Sequence, residues 1–331
     1  MLTLKPDSVL NKRLFKLLQI VATFTLLGVV FYQAGLFSDS GQQRFLATLK
    51  NASLNLLVLS VLVGVLINLV SALKWHMLVR SQALGAGYWR IFAYYLVGQF
   101  YNMFLPTSVG GDVVRAYELG KFSGRQADSL ASVFVERYTG VLTLLVVAAA
   151  AVLSQLSRFN QGFVVFSLVA FALGLGLIGW LVFDKRPYRW LRQVMVDMLP
   201  VTLKVFSKLD KLVDALDDYR TQPRVVMTAF VNSILFYFIA ALNVYVTALV
   251  FNADVRFLDM LIATPIIMLL MNIPLSFGNI GLMEFAYTSI FTIVGYGAEL
   301  GVAVALLMRL KSLFDGAMGG VMHPIFVTQK Y

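Results

Sequence analysis

The chain has 331 residues, of which 59% are hydrophobic and only 13% charged, with a mean hydropathy of +0.80. A charged share about half that of ordinary soluble domains makes this an integral membrane protein and excludes a soluble enzyme fold. The formal charge of +10 would suit nucleic acid, but its bases gather on one side of the membrane, which is topology and anionic-lipid contact instead. Cysteine is absent, and His76 and His323 stand far apart, so neither disulfides nor a metal site is expected.

Lys5, Lys12, Arg13 and Lys16 precede an apolar run from Leu17 to Leu36. At roughly 20 residues the run is of spanning length, longer than a signal-peptide core, and no small-x-small cleavage site follows. It reads as a retained first span entered from the cytoplasm. A polar loop with Asp39, Arg44 and Lys50 leads to a second span, Leu54 to Val79, with Lys74, Arg80 and Arg90 at its exit.

The run from Ile91 to Leu105 ends at Pro106, and hydropathy alone makes it a span. If it crossed, the later segment Asp184 to Arg224, with nine Lys/Arg, would lie outside, against the positive-inside rule. A re-entrant hairpin that turns at Pro106–Gly111 and returns to the cytoplasm restores the parity. Spans then follow at 128–153 and 163–183. Between residues 202 and 219, Val205, Phe206, Leu209, Leu212, Val213 and Leu216 repeat at helical spacing, which predicts an amphipathic helix at the cytoplasmic interface or a partner helix. A span at 225–251 precedes Leu258 to Ile273, which enters, breaks at Pro274–Gly281 and returns through Phe285 to Val294. The last span covers 300–327. On this topology 20 of the 27 Lys/Arg are cytoplasmic, four are external (Arg44, Lys50, Arg158, Arg256) and three lie within the membrane (Arg137, Arg309, Lys311).

Two hairpins now stand at corresponding places. Pro106-Thr107-Ser108-Val109-Gly110-Gly111-Asp112 returns in the second half of the chain as Pro274-Leu275-Ser276-Phe277-Gly278-Asn279, closing through Gly281 on Glu284. The expected fold is an all-α integral membrane protein, one membrane domain over 1–331. It is built as an inverted-topology repeat (halves 12–155 and 161–327, with the amphipathic segment in 184–224) of six full spans plus two opposed re-entrant helical hairpins. Both termini are expected on the cytoplasmic side of the inner membrane.

Non-helical backbone at membrane depth persists only where it is buried in protein or lines a watery cavity. Pro106, Gly110, Gly111, Pro274, Gly278 and Gly281 therefore mark hairpin breaks facing a polar interior. A half-helix beginning near Gly111 would present free N–H groups to an anion. Arg137 and Arg309 lie roughly 10 residues into their spans, about 15 Å deep, too far in for easy snorkelling. Each needs a partner, from Asp112 or Glu136 in the first half and Glu284 or Asp315 in the second. Guanidinium geometry suits a lipid phosphate, and it equally suits a structural pair pinning hairpin to span; the residues leave both readings open. Arg115 reads either as part of this site or as a solvated hairpin exit. Ser108 and Ser276 line the breaks, but no activating base accompanies them, so a catalytic serine is not expected.

At Pro106-x-Ser108-x-Gly110-Gly111-Asp112-x-x-Arg115, followed by Glu136-Arg137, the chain resembles the flippase-like membrane domain of the lysylphosphatidylglycerol synthase family. The second-half pattern ending in Glu284 and Arg309 is similar to the family's as well, although Asn279 stands where a second glycine is usual and Met283 where a base is common. The resemblance implies a lipid flippase without the aminoacyl-transferring domain, and no cofactor. The expected function is translocation of an anionic-headgroup lipid, phospholipid or polyprenyl-phosphate-linked, between leaflets, with Arg137 and Arg309 holding the phosphate in turn. The alternative is an accessory subunit that presents a lipid carrier to a lipid-modifying enzyme. Oligomerisation is left open.

Overall fold

The computed structural model describes residues 6–104, 110–153, 203–273 and 275–326, together with scattered positions between 169 and 193. Among them the chain is helical throughout, with no strand. The helices are α1 (Pro6–Gln33), α2 (Asp39–Lys50), α3 (Leu54–Ser81), α4 (Tyr88–Phe104), α5 (Gly110–Ser123), α6 (Gln126–Leu153), α7 (Leu203–Arg220), α8 (Pro223–Leu249), α9 (Phe257–Met271), α10 (Leu282–Val294) and α11 (Ala298–Phe326), with a 3-10 turn at Phe277–Asn279. The expected turn at 154–161 and span at 163–183, together with Pro106, Ser108 and Pro274, lie outside the described residues.

Three of these helices, α3, α6 and α8, are long and apolar enough to cross a membrane. In α9 and α10, 15 and 13 residues are apolar but short. At 1.5 Å per residue they extend about 22 and 20 Å, less than a ~30 Å hydrocarbon core. Between them the backbone leaves the helix altogether. Gly278, Asn279 and Gly281 all have positive φ (57°, 58° and 80°). Gly281 is required twice over: its φ is left-handed, and a Cβ there would stand 2.7 Å from the Thr23 carbonyl oxygen of α1.

One expectation is overturned. The polar loop after the first span is the helix α2, capped by Ser38, whose Oγ accepts from the Gly41 N–H at 3.2 Å. Asp39 in its first turn and Lys50 in its last complement the helix dipole, a polar helix that hydropathy cannot reveal.

The chain parts into two compact units, each drawing on both halves of the sequence. One comprises Met1–Val63, Tyr101–Gly110 and Ala241–Phe314; the other comprises Gly64–Phe100, Gly111–Ala240 and Asp315–Tyr331. In the first, Val244, Met260, Ile267, Tyr287, Phe291 and Val304 form the core. In the second, Trp75, Val79, Ile91, Tyr94, Leu119 and Val133 pack together, and Ala215, Leu216 and Tyr219 of α7 join Leu78, Val135 and Ala229. The apolar side of the amphipathic helix is therefore covered in its last turns by α6 and its neighbours. Tyr219 donates from its hydroxyl to the Leu78 carbonyl at 2.9 Å, and burial raises its pKa.

Within the second unit, α4 and α11 meet at Gly319, where a Cβ would run into the Leu96 carbonyl. Gly319→Ala is expected to destabilise the fold by roughly 1–3 kcal/mol through overpacking. Gly28→Ala, where nothing lies within 4 Å of a new Cβ, is expected to leave stability unchanged or slightly raised. Thermal unfolding of the two purified variants in detergent compares them directly.

Candidate functional site

Each unit holds one acid–arginine pair, carried by a helix pair of its own. Asp112 is the third residue of α5, eleven before its end at Ser123, and Arg137 comes eleven residues after α6 begins at Gln126. A tight turn with Gly124 at φ 70° joins the two helices, so equal travel out and back brings acid and base level. The turn is fixed by Arg125, which donates from Nε and Nη2 to Asp128 and from Nη1 to the Gln82 carbonyl at 2.7 Å. Ser129 Oγ donates to the Ala116 carbonyl at 2.6 Å and holds α6 to α5. On the other side of α5, Gly98 of α4 comes so close that a Cβ would stand 3.0 Å from the Gly111 carbonyl oxygen. Gly110 and Gly111 open α5 as its first two residues, and the missing side chain of Gly98 permits this close approach.

Arg137 grips Asp112 with both ends, Nε to Oδ2 at 2.6 Å and Nη2 to Oδ1 at 2.8 Å. Arg115, one turn along α5, donates from Nε to the same Asp112 Oδ1 at 3.0 Å and meets Glu136 Oε2 through Nη2 at 2.5 Å. Lys74 of α3 donates to the Glu136 carbonyl at 2.7 Å, in space left by Gly140, where a Cβ would lie 3.3 Å from the ammonium. The Arg115 guanidinium lies 4.5 Å from the Trp75 ring centroid and 5.4 Å from that of Tyr95, an arrangement favourable to a desolvated cation. Trp75 is held by its Nε1 donating to Ser132 Oγ at 3.0 Å.

Burial separates the members. Asp112, Arg115, Glu136 and Lys74 are buried, whereas the Arg137 side chain is 51% exposed. Arg137 commits Nε and Nη2 to Asp112, and among the described residues Nη1 of the buried Arg115 makes no hydrogen bond.

The second pair follows the same construction. Glu284 is the third residue of α10, ten before its end at Val294, and Arg309 comes eleven residues after α11 begins at Ala298. Gly295, at φ 102°, turns the chain between them. Arg309 donates from Nε to Glu284 Oε1, and from Nη2 to Oε2 and to the Asn279 carbonyl, both at 2.9 Å. Glu284 Oε2 also accepts from the Gly281 N–H at 2.8 Å, capping α10. Acid and arginine are 25 residues apart in both pairs. The break before the acid is longer in the second copy, from Pro274 to Glu284 against Pro106 to Asp112, and the left-handed residues Asn279 and Gly281 fall within that longer run.

Of the expected partners, Arg137 thus takes Asp112 and Arg309 takes Glu284. Glu136 serves Arg115, and Arg115 is buried among charges, not at a solvated exit. Ser276 is buried, and its Oγ makes no hydrogen bond among the described residues. Lys311 is held by Ser60 Oγ, Asn243 Oδ1 and Thr247 Oγ1 at 2.7–2.8 Å. Three contributors escape a reading by sequence: Lys74, which reads there as part of a span exit, and Trp75 and Tyr95, whose type signals only packing. Arg256, by sequence a plain external charge, forms a bidentate pair with Asp259 that raises its pKa, and Tyr296 donates to the same carboxylate at 2.6 Å. No cluster of His, Cys, Asp and Glu with metal-binding geometry occurs among the described residues.

Residues 17–319 match the family model described as the lysylphosphatidylglycerol synthase TM region. Two proteins of Methanothermobacter thermautotrophicus, each named UPF0104 membrane protein, are similar in sequence. One is 21% identical over 93% of both chains; the other is 23% identical over 81% of this chain and 85% of its own. No solved structure matches the chain.

Asp112→Asn leaves buried Arg115 with one carboxylate and Arg137 with none, a loss expected to cost about 3 kcal/mol. Glu284→Gln keeps a capping acceptor and is expected to cost less, about 1–2 kcal/mol. Denaturant-induced unfolding in detergent measures both, and adding Arg137→Gln to Asp112→Asn is expected to recover part of the loss.

Proposed function

The chain belongs to the lysylphosphatidylglycerol synthase transmembrane family, and from that premise we propose that it moves an anionic-headgroup lipid between membrane leaflets. No chemical step is involved. The observation that carries the reading is Arg137: midway along an apolar spanning helix, its guanidinium is tied to a carboxylate yet half exposed. A charge at that depth does not face hydrocarbon when an alternative exists, so its open side meets water or an anion. A lipid phosphate, whose oxygens match the guanidinium fork, is the ligand a membrane supplies in quantity.

The short apolar helices α9 and α10 and the non-helical backbone between them support a re-entrant hairpin. The return of the acid–arginine pair at the same spacing in the second half supports a repeat, and the distribution of Lys/Arg supports its inversion, with both termini in the cytoplasm. On this reading Arg137 and Arg309 are each a headgroup anchor within their own unit, and the tails stay in lipid throughout.

Purified protein in liposomes, with fluorescent lipids and a membrane-impermeant quencher, tests this. Exchange above that of empty liposomes is expected, falling at least about tenfold in folded Arg137→Ala if the lost contact is worth about 1.4 kcal/mol or more. Lipid binding without any exchange would replace the flippase with a protein that presents a lipid carrier to a partner enzyme.

A further inference from the structure

The first cluster has a charge count that selects its ligand. Lys74, Arg115 and Arg137 contribute three positive charges, Asp112 and Glu136 two negative ones. Among the described residues the ion pairs of Arg115 and Arg137 stay within this set, which carries one positive charge in excess.

We propose that this cluster is a phosphodiester site that selects lipid headgroups of net charge −1, bound through Arg137. The inference rests on the flippase reading for its ligand source and adds the charge rule. A monoanionic diester brings the five groups to neutrality. A zwitterionic headgroup brings a phosphate and an ammonium together and leaves the excess where it was. A phosphomonoester in its dianionic form overshoots by one. In a low-dielectric site an uncompensated charge is costly, whereas in water the three headgroups would differ little.

The geometry fits an arriving phosphate. Arg137 can turn toward it because Asp112, when released, keeps the Arg115 Nε–H and the Arg115 Nη2 contact at 2.9 Å. The departure of Arg137 thus does not strand a buried carboxylate. The Arg137 side chain presents its exposed half, and Arg115 Nη1 supplies N–H groups without a hydrogen bond among the described residues. Lys74 and Glu136 set the total charge from positions where neither is the exposed member.

The test moves the total by one unit in each direction. In Lys74→Gln the amide can still donate to the Glu136 carbonyl while the cluster becomes neutral; in Glu136→Gln the excess rises to two. Both folded variants and the wild type are placed in phosphatidylcholine liposomes doped with fluorescent phosphatidylglycerol (net −1), phosphatidylethanolamine (net zero) or phosphatidic acid. All are kept at one neutral pH, where the monoester already carries close to two charges and the lysine of the cluster is protonated. Headgroup-selective retention by the detergent-solubilised protein is measured in parallel.

Wild type is expected to prefer phosphatidylglycerol over both others by about tenfold or more, the ratio for about 1.4 kcal/mol. Lys74→Gln is expected to shift the preference toward phosphatidylethanolamine, and Glu136→Gln toward phosphatidic acid. Equal exchange of all three lipids by the wild type, or a preference that neither variant moves, overturns the charge rule and leaves translocation standing. Selective retention of phosphatidylglycerol without exchange of any probe does the reverse: the charge rule stands and the flippase reading falls. If one variant does not fold, the other alone decides, since each has its own predicted direction.

Discussion

The arrangement depends on one carboxylate, Asp112, and on the need to keep it ionised at membrane depth. A lone carboxylate there would be protonated or would drag water in. Three features hold it charged: the first turn of α5, the positive end of that helix's dipole, and the guanidiniums of Arg115 and Arg137. Those guanidiniums are in turn tolerable because Asp112 and Glu136 answer them. The packing around them follows from the same need. Gly98 lets α4 approach α5 at Gly111, Gly140 leaves room for Lys74, and Trp75 and Tyr95 give the buried Arg115 a polarisable surface beside its two carboxylates.

What makes this legible in the sequence is the helix hairpin. An acid at the start of a returning helix and an arginine well into the next one end up level because α5 and α6 have nearly equal runs on either side of a glycine turn. The same holds for Glu284 and Arg309 across α10 and α11. Hydropathy places α3, α6, α8 and α11 close to their observed limits, since long apolar runs in lipid have no alternative to helix, whereas α1 begins at Pro6, well before its apolar run. Hydropathy narrows the partners of Arg137 and Arg309 to two each, and equal depth decides between them.

What is not legible comes from contacts with no fixed spacing. Lys74 lies 62 residues from Glu136, and nothing in its neighbourhood separates a buried lysine from one at a span exit. Arg115 reads either as a site member or as a solvated exit, and the approach of α6 and α3, which buries it, decides for the first. α2 is polar on most of its surface and rests on its cap and terminal charges, which a hydrophobic-run criterion passes over. The amphipathic face of α7 is visible, but periodicity says only that a face is covered, and Leu216 and Tyr219 are covered by protein.

The two acid–arginine pairs look alike in sequence and differ in what they can release. Asp112 has two guanidiniums, so when Arg137 turns to another anion the carboxylate keeps a charged partner. Glu284 has Arg309 and the Gly281 N–H, and Arg309 also holds the Asn279 carbonyl of the broken segment. Turning Arg309 away would strip Glu284 to one backbone donor and free the Asn279 carbonyl at a place where φ is already left-handed. Arg309 is also the less exposed, 23% against 51% for Arg137. Of the two acid–arginine pairs only the first has a neighbour like Arg115 on its acid, so only Arg137 can change partners without stranding its carboxylate. Arg309 is committed to holding its break in shape, and any ligand it takes must be taken without giving up Glu284.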